Sequence, residues 1–193
     1  VAAAGFATSL FIPRTPPGSP DLVVHLSPVR PTLEILAVTR RPESVWLSIL
    51  GISWFWFLGA SFLSLLPSFS KDVLGGAETV VTLFLALFCI GIAAGSLLCE
   101  RLSRRRLELG LVPVGSIGIT LFALDLAWAG QRFAGPGDGA LLSAAAFLAG
   151  SGGLRVTADL AMIAVFSGLY TVPLYTLVQQ RTASLRESHE RLK

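Results

Sequence analysis

Four stretches of this chain carry almost no charge. Residues 44–70, 79–99 and 160–180 contain no Asp, Glu, Lys or Arg, and 109–131 contains only Asp125. Their lengths are 27, 21, 21 and 23 residues. A helix rises ~1.5 Å per residue and the hydrocarbon core of a bilayer is ~30 Å thick, so about 20 residues make one crossing. Each run suffices for one span and none for two. The expectation is an all-α, polytopic membrane helix bundle with four spans. The composition excludes an ordinary soluble domain: 53% of the 193 residues are apolar and 14% charged, with a mean hydropathy of +0.70, where soluble domains carry about 25% charge.

The segments between the runs set the organisation. Val1 to Ile12 is apolar, lacks the basic start of a signal peptide and reads as the end of a further transmembrane helix. Residues 13–43 hold Pro13, Pro16, Pro17, Pro20, Pro28 and Pro31 and read as an extended connection, with a short amphipathic helix from Leu33 to Val38. The first span, from about Ser44 to Leu66, is expected to stop at Pro67, before a polar loop with the Gly75-Gly76 turn signal. Spans at about Val80–Cys99, Leu109–Ala129 and Leu160–Gln180 complete the 44–180 bundle, and 181–193 is a polar tail. The apolar segment 140–153 is too short to cross a bilayer and reads as an interfacial helix or ordered loop.

Cations fix the orientation, because Lys and Arg near span ends are retained in the cytoplasm. With four alternating spans, one side holds Arg14, Arg30, Arg40, Arg41, Arg101, Arg104, Arg105, Arg106, Arg181, Arg186, Arg191 and Lys193, twelve of the fifteen. The other holds Lys71, Arg132 and Arg155. The first side is therefore expected in the cytoplasm. The net charge of +3 marks topology and not a nucleic-acid partner.

The sequence offers no catalytic constellation and no cofactor motif, so it does not read as an enzyme. His25 and His189 lie apart from any Cys or carboxylate at ligand spacing, which leaves no metal site to propose. Cys89 and Cys99 are ten residues apart on one expected helix, about 15 Å, too far for a disulfide. Gly91-Ile-Ala-Ala-Gly95 is a GxxxG pattern, expected to allow close helix packing within the bundle.

The densest signal is Ser96-Leu-Leu-Cys-Glu100-Arg101-Leu-Ser103-Arg104-Arg105-Arg106. It resembles the cytoplasmic loop motif of the major facilitator superfamily, G-x-L-a-D-R-x-G-R-R, with Ser96 and Ser103 at the glycine positions and Glu100 for Asp. Reading the cluster as a positive-inside anchor is compatible with that. The strings Leu50-Gly-Ile-Ser-Trp-Phe-Trp-Phe-Leu-Gly-Ala60, Lys71-Asp-Val-Leu-Gly-Gly76, Gly95-Ser-Leu-Leu-Cys-Glu-Arg-Leu102, Leu111-Val-Pro-Val-Gly-Ser-Ile-Gly118 and Val172-Pro-Leu-Tyr175 are together similar to the lysophospholipid transporter branch of that superfamily, over about residues 1–182. The resemblance implies a partial major facilitator fold: the end of helix six, a central cytoplasmic loop at 13–43, and helices seven to ten, with helices eleven and twelve absent and the tail after Thr182 departing from the family. It implies alternating access in the bacterial inner membrane, a lysophospholipid substrate, and a cytoplasmic gate at Ser96, Glu100, Arg101, Ser103, Arg104 and Arg105. Some members are fused to acyltransferase and acyl-carrier-protein synthetase domains. A membrane anchor for such domains, or a facilitator for another small molecule, are the alternatives.

Candidates for the substrate path are Trp54, Trp56, Asp125, Tyr170 and Tyr175. The two tryptophans fall near the middle of their span, away from the interfaces where Trp gathers, and plain packing is the competing explanation. Asp125 is the one carboxylate inside a run, a functional hypothesis by default, although water or Arg132 near the span end would satisfy it. Asp159, at the expected start of the last span, reads as a helix cap, and Trp46 and Trp128 as interfacial belt residues.

Overall fold

The computed structural model describes residues 43–103, 108–133 and 140–191, together with Phe6, Ser9 and Leu33, with side chains described up to Arg181. Val1–Val38 is a unit separate from Thr39–Lys193; within it Phe6, Ser9 and Leu33 are helical, and the Ser9 hydroxyl donates to the Phe6 carbonyl at 2.7 Å. The expected helix end at 1–12 and proline-rich loop at 13–43 otherwise lie outside the described residues, as do Arg104 and Arg105 of the loop motif.

The larger unit is almost wholly helical: α1 (Glu43–Ser68), α2 (Glu78–Ser103), α3 (Leu111–Gln131), α4 (Ala144–Ala149) and α5 (Ser151–Arg191), with no strand among the described residues. Among the described residues four helices are long and apolar enough to cross a membrane: Glu43–Val73, Glu78–Ser103, Leu111–Gln131 and Ser151–Arg181. The chain is a multi-pass membrane protein. In a medium without water every backbone N–H and C=O must be paired inside its own segment, and uninterrupted helices do that.

Three boundaries differ from the sequence expectation. Pro67 does not stop the first span, since it lies inside α1 and the chain continues through a π-helical turn, Phe69–Val73. A proline costs a helix one N–H donor, the one for the carbonyl four residues earlier, and membrane helices tolerate that loss. The last span begins at Ser151, nine residues before Leu160, and the expected polar tail continues the same helix to Arg191. Segment 140–153 splits: Ala144–Ala149 is a six-residue helix capped by Ser143, whose hydroxyl accepts from the Ala146 N–H at 3.3 Å, while Ser151–Gly153 already belong to α5. At ~1.5 Å per residue α4 rises about 9 Å, far short of a crossing.

The spans alternate. The turn after α1 meets the segment after α3, where Leu142 N–H donates to Gly75 C=O at 2.7 Å and Ala77 N–H donates to Leu142 C=O at 2.9 Å. Gly75 makes the turn possible with φ of 62°, a left-handed conformation open to glycine. One end of the bundle thus gathers the end of α1, the start of α2, the end of α3, α4 and the start of α5. The end of α2 and the start of α3, which the arginine loop joins in sequence, lie at the other end.

α5 is the hub, in contact with α1, α2, α3 and α4. Half of its span is buried, against 6% of α1. Small residues let its neighbours come close. A Cβ on Gly95 would overlap the Val165 carbonyl oxygen, and one on Gly91 would sit 2.5 Å from Ala164 Cβ, so the GxxxG pattern packs α2 on α5 within the bundle. The buried apolar cluster, including Leu66, Val80, Phe84, Leu126, Phe147, Val156 and Leu160, fills the end opposite the arginine loop.

Candidate functional site

α3 approaches α5 with a run of small and apolar residues, and near its last turns that pattern gives way to Asp125, Trp128 and Arg132. α5 brings Arg155 and Asp159 from its second and third turns. The Arg155 guanidinium grips Asp125 through two N–H groups, Nε to Oδ2 at 3.1 Å and Nη2 to Oδ1. A forked pair of this kind combines two parallel charge-assisted hydrogen bonds. The two side chains remain 44% and 37% exposed, so the pair is reachable from outside this bundle.

Trp128 stands between two cations. The Arg132 guanidinium lies 4.0 Å from the centre of its ring and that of Arg155 lies 4.8 Å away, both within cation–π range. Asp159 is 3% exposed, and its Oδ2 has no hydrogen-bond partner among the described residues. Beside this cluster is a cavity of about 570 Å³, lined by Arg132 and Arg155 on its polar side and by Ala129, Phe133, Leu142, Ala146 and Phe147 on its apolar side. Gly152 and Gly153 shape its wall: a Cβ on Gly153 would overlap the Phe147 carbonyl, and one on Gly152 would meet the Phe133 ring at 3.1 Å.

Two sequence expectations are corrected here. Asp125 is satisfied by Arg155, while Arg132 turns onto Trp128. Asp159 is not a helix cap, because α5 starts two turns earlier and leaves it in the helix interior. Trp128 does lie near a span end, as expected, but as the platform shared by both arginines. The spacing of Arg155 and Asp159, four apart on one helix face, was the available signal for the cluster; it is meaningful only once the helix is known to reach back to Ser151.

The other path candidates divide. Trp56 Nε1 donates to the Tyr175 hydroxyl at 2.8 Å. Phe55 stacks on Tyr170 with ring centres 5.8 Å apart, and the Tyr170 hydroxyl donates to the Gly51 carbonyl at 3.3 Å. Trp56, Tyr170 and Tyr175 therefore form one aromatic seam between α1 and α5. Trp54 does not join it: two residues along a helix is about 200° of rotation, and Trp54 is 61% exposed with its ring against Phe57 of its own helix. Asp125 belongs to the cluster near the end of α3, apart from this seam.

In the loop motif, the Ser96 hydroxyl donates to the Ile92 carbonyl at 2.8 Å and the Ser103 hydroxyl to the Glu100 carbonyl at 3.2 Å. Both serines are engaged within α2. Glu100 and Arg101 are exposed on its last turn. Ser96 also lies in the α2–α5 crossing, where a Cβ on Gly168 would come within 2.6 Å of its backbone nitrogen. Among the described residues no three His, Cys, Asp or Glu side chains gather as a metal site, and Cys89 and Cys99 are both free thiols. Compared with protein-family models, curated proteins and solved structures, the chain matches none.

Proposed function

We propose that this chain is part of a secondary transporter of the major facilitator type that moves lysophospholipid across a bacterial inner membrane by alternating access, for reacylation on the cytoplasmic side. The observation that carries the reading is the cavity beside α3 and α5. It offers the Arg132 guanidinium for a phosphate, with Arg155 held beside it by Asp125, and an apolar wall for an acyl chain, and about 570 Å³ is within the common range for a small-molecule site. The positive-inside reading of the sequence takes this end as the outer one, where a lipid moving inward enters.

The remaining features fit the same machine. Exposed Glu100 and Arg101 at the opposite end are placed for charged contacts that form and break as two bundles rock. The face of α1 bearing Leu50, Trp54, Phe57 and Leu65 is exposed along its length, which suits further helices or lipid.

The test is flipping of labelled lysophospholipid by the full-length protein in proteoliposomes. Protein-dependent flipping is expected, competed by unlabelled lysophospholipid and not by drugs or small metabolites. Arg132→Gln should reduce it roughly tenfold, the size of one lost charge-assisted contact, and Glu100→Ala or Arg101→Ala should also lower it. Flipping no faster than in empty liposomes contradicts the reading.

A further inference from the structure

Asp159 is the one carboxyl among the described residues that is buried within a span, at 3% exposure. Its Oδ2 lacks a hydrogen-bond partner among those residues. The charged groups that face it are Asp125 from α3 and Arg155 from one turn earlier on its own helix. Arg132 is turned onto Trp128, α4 has no ionisable residue, and Lys71, Asp72 and Glu78 at this end of the bundle do not bear on it.

The local charges do not balance. Two carboxylates stand beside one guanidinium, and Arg155 has already committed its fork to Asp125. Ionised, Asp159 leaves the group with one net negative charge and an oxygen out of water with no donor, an expensive arrangement. One proton removes both problems, because it neutralises the cluster and turns an orphaned acceptor into a donor.

We propose that Asp159 is a proton-binding site and that the Asp125–Arg155 pair is the gate through which its proton is exchanged with water. In loading, a hydronium ion at this end of the bundle gives its proton to the Asp159 carboxylate, forming one O–H bond and leaving water; release is the reverse, and no electrons move. The half-exposed pair is the only charged bridge from Asp159 to the surface among the described residues. A metal cation fits poorly, because such ions take several oxygen ligands, no three-donor set is present among the described residues, and the Arg155 guanidinium stands beside the carboxyls. The site is independent of the cargo proposed above; in a transporter it would hold the coupling ion.

Infrared difference spectra of the protein in lipid nanodiscs, between mildly alkaline and mildly acidic buffer, test this without any transport. The expected result is a protonated-carboxyl C=O band that is lost in Asp159→Asn and shifted in frequency in Asp159→Glu. The Glu variant keeps the test open where Asp159→Asn does not fold. An acid-induced band untouched by both variants, or no such band, overturns the proposal. So does displacement of the Asp159 band by sodium at constant pH, which would make the site one for a metal cation. Loss of lysophospholipid flipping with the band intact would refute the cargo and leave the proton site standing.

Discussion

Arg155 meets three groups at once: the Asp125 carboxylate, the Trp128 ring and the neighbourhood of Asp159. A side chain with that many partners should not act additively with them. Arg155→Gln and Asp125→Asn are each expected to lower the melting temperature, and the double variant should melt close to the worse single one, since each change removes the same fork. A double variant whose loss equals the sum of the two would show that the pair is not energetically coupled. This residue-level arrangement was only half legible in the sequence. Asp125 stood out because a carboxylate in an apolar run needs a reason. Its partner did not, because which cation reaches it depends on how α3 and α5 pack, and pairing across 30 residues leaves no local pattern. Trp54 and Trp56 show the same limit: both are conspicuous in sequence, yet helix rotation sends only Trp56 to the seam with Tyr175.

Elements are held by glycines more than by side-chain interdigitation, as is common where lipid removes the hydrophobic drive for helices to associate. Gly95 lies directly against the Val165 backbone, which cannot swing aside as a side chain can. Gly95→Ala should destabilise the folded protein by about 1–3 kcal/mol, the usual cost of overpacking, measured as unfolding in mixed micelles. Gly59, with nothing within 4 Å of its would-be Cβ, is the control: Gly59→Ala should be neutral or gain about 0.5–1 kcal/mol through helix propensity. Equal effects at the two positions would contradict the packing described for α2 and α5. Span existence was legible because the bilayer imposes its length on the sequence; span ends were not. Pro67 reads as a stop from propensity alone, but a membrane helix tolerates the one backbone donor it removes, and the chain stays helical through the π-helical turn that follows. Gly152 and Gly153 serve close approach to Phe133 and Phe147, so the helix runs back through them to Ser151 and Asp159 falls in its interior and not at its cap.

At the scale of the whole molecule, the bundle has two unlike ends. One holds the end of α2 and the start of α3, which the arginine loop joins in sequence, and the other holds the aromatic core, the cavity and the Asp125–Arg155–Asp159 cluster. The orientation expected from twelve cations against three in the sequence is what both proposed activities depend on: lipid and proton reach the cluster from outside only if the arginine loop is inside. The alternation itself is carried by the backbone bonds between Gly75, Ala77 and Leu142, which bind two turns together at one end. The most direct test is cysteine accessibility in intact cells, with Cys89 and Cys99 replaced by Ser. Leu141, 52% exposed beside the cavity, and Leu109, 43% exposed at the arginine-loop end, are each changed to Cys and offered a membrane-impermeant maleimide. Labelling of Leu141→Cys in intact cells, and of Leu109→Cys only after the cells are opened, is the predicted result; labelling of Leu109→Cys in intact cells, with Leu141→Cys protected until they are opened, would contradict the orientation on which the functional reading rests.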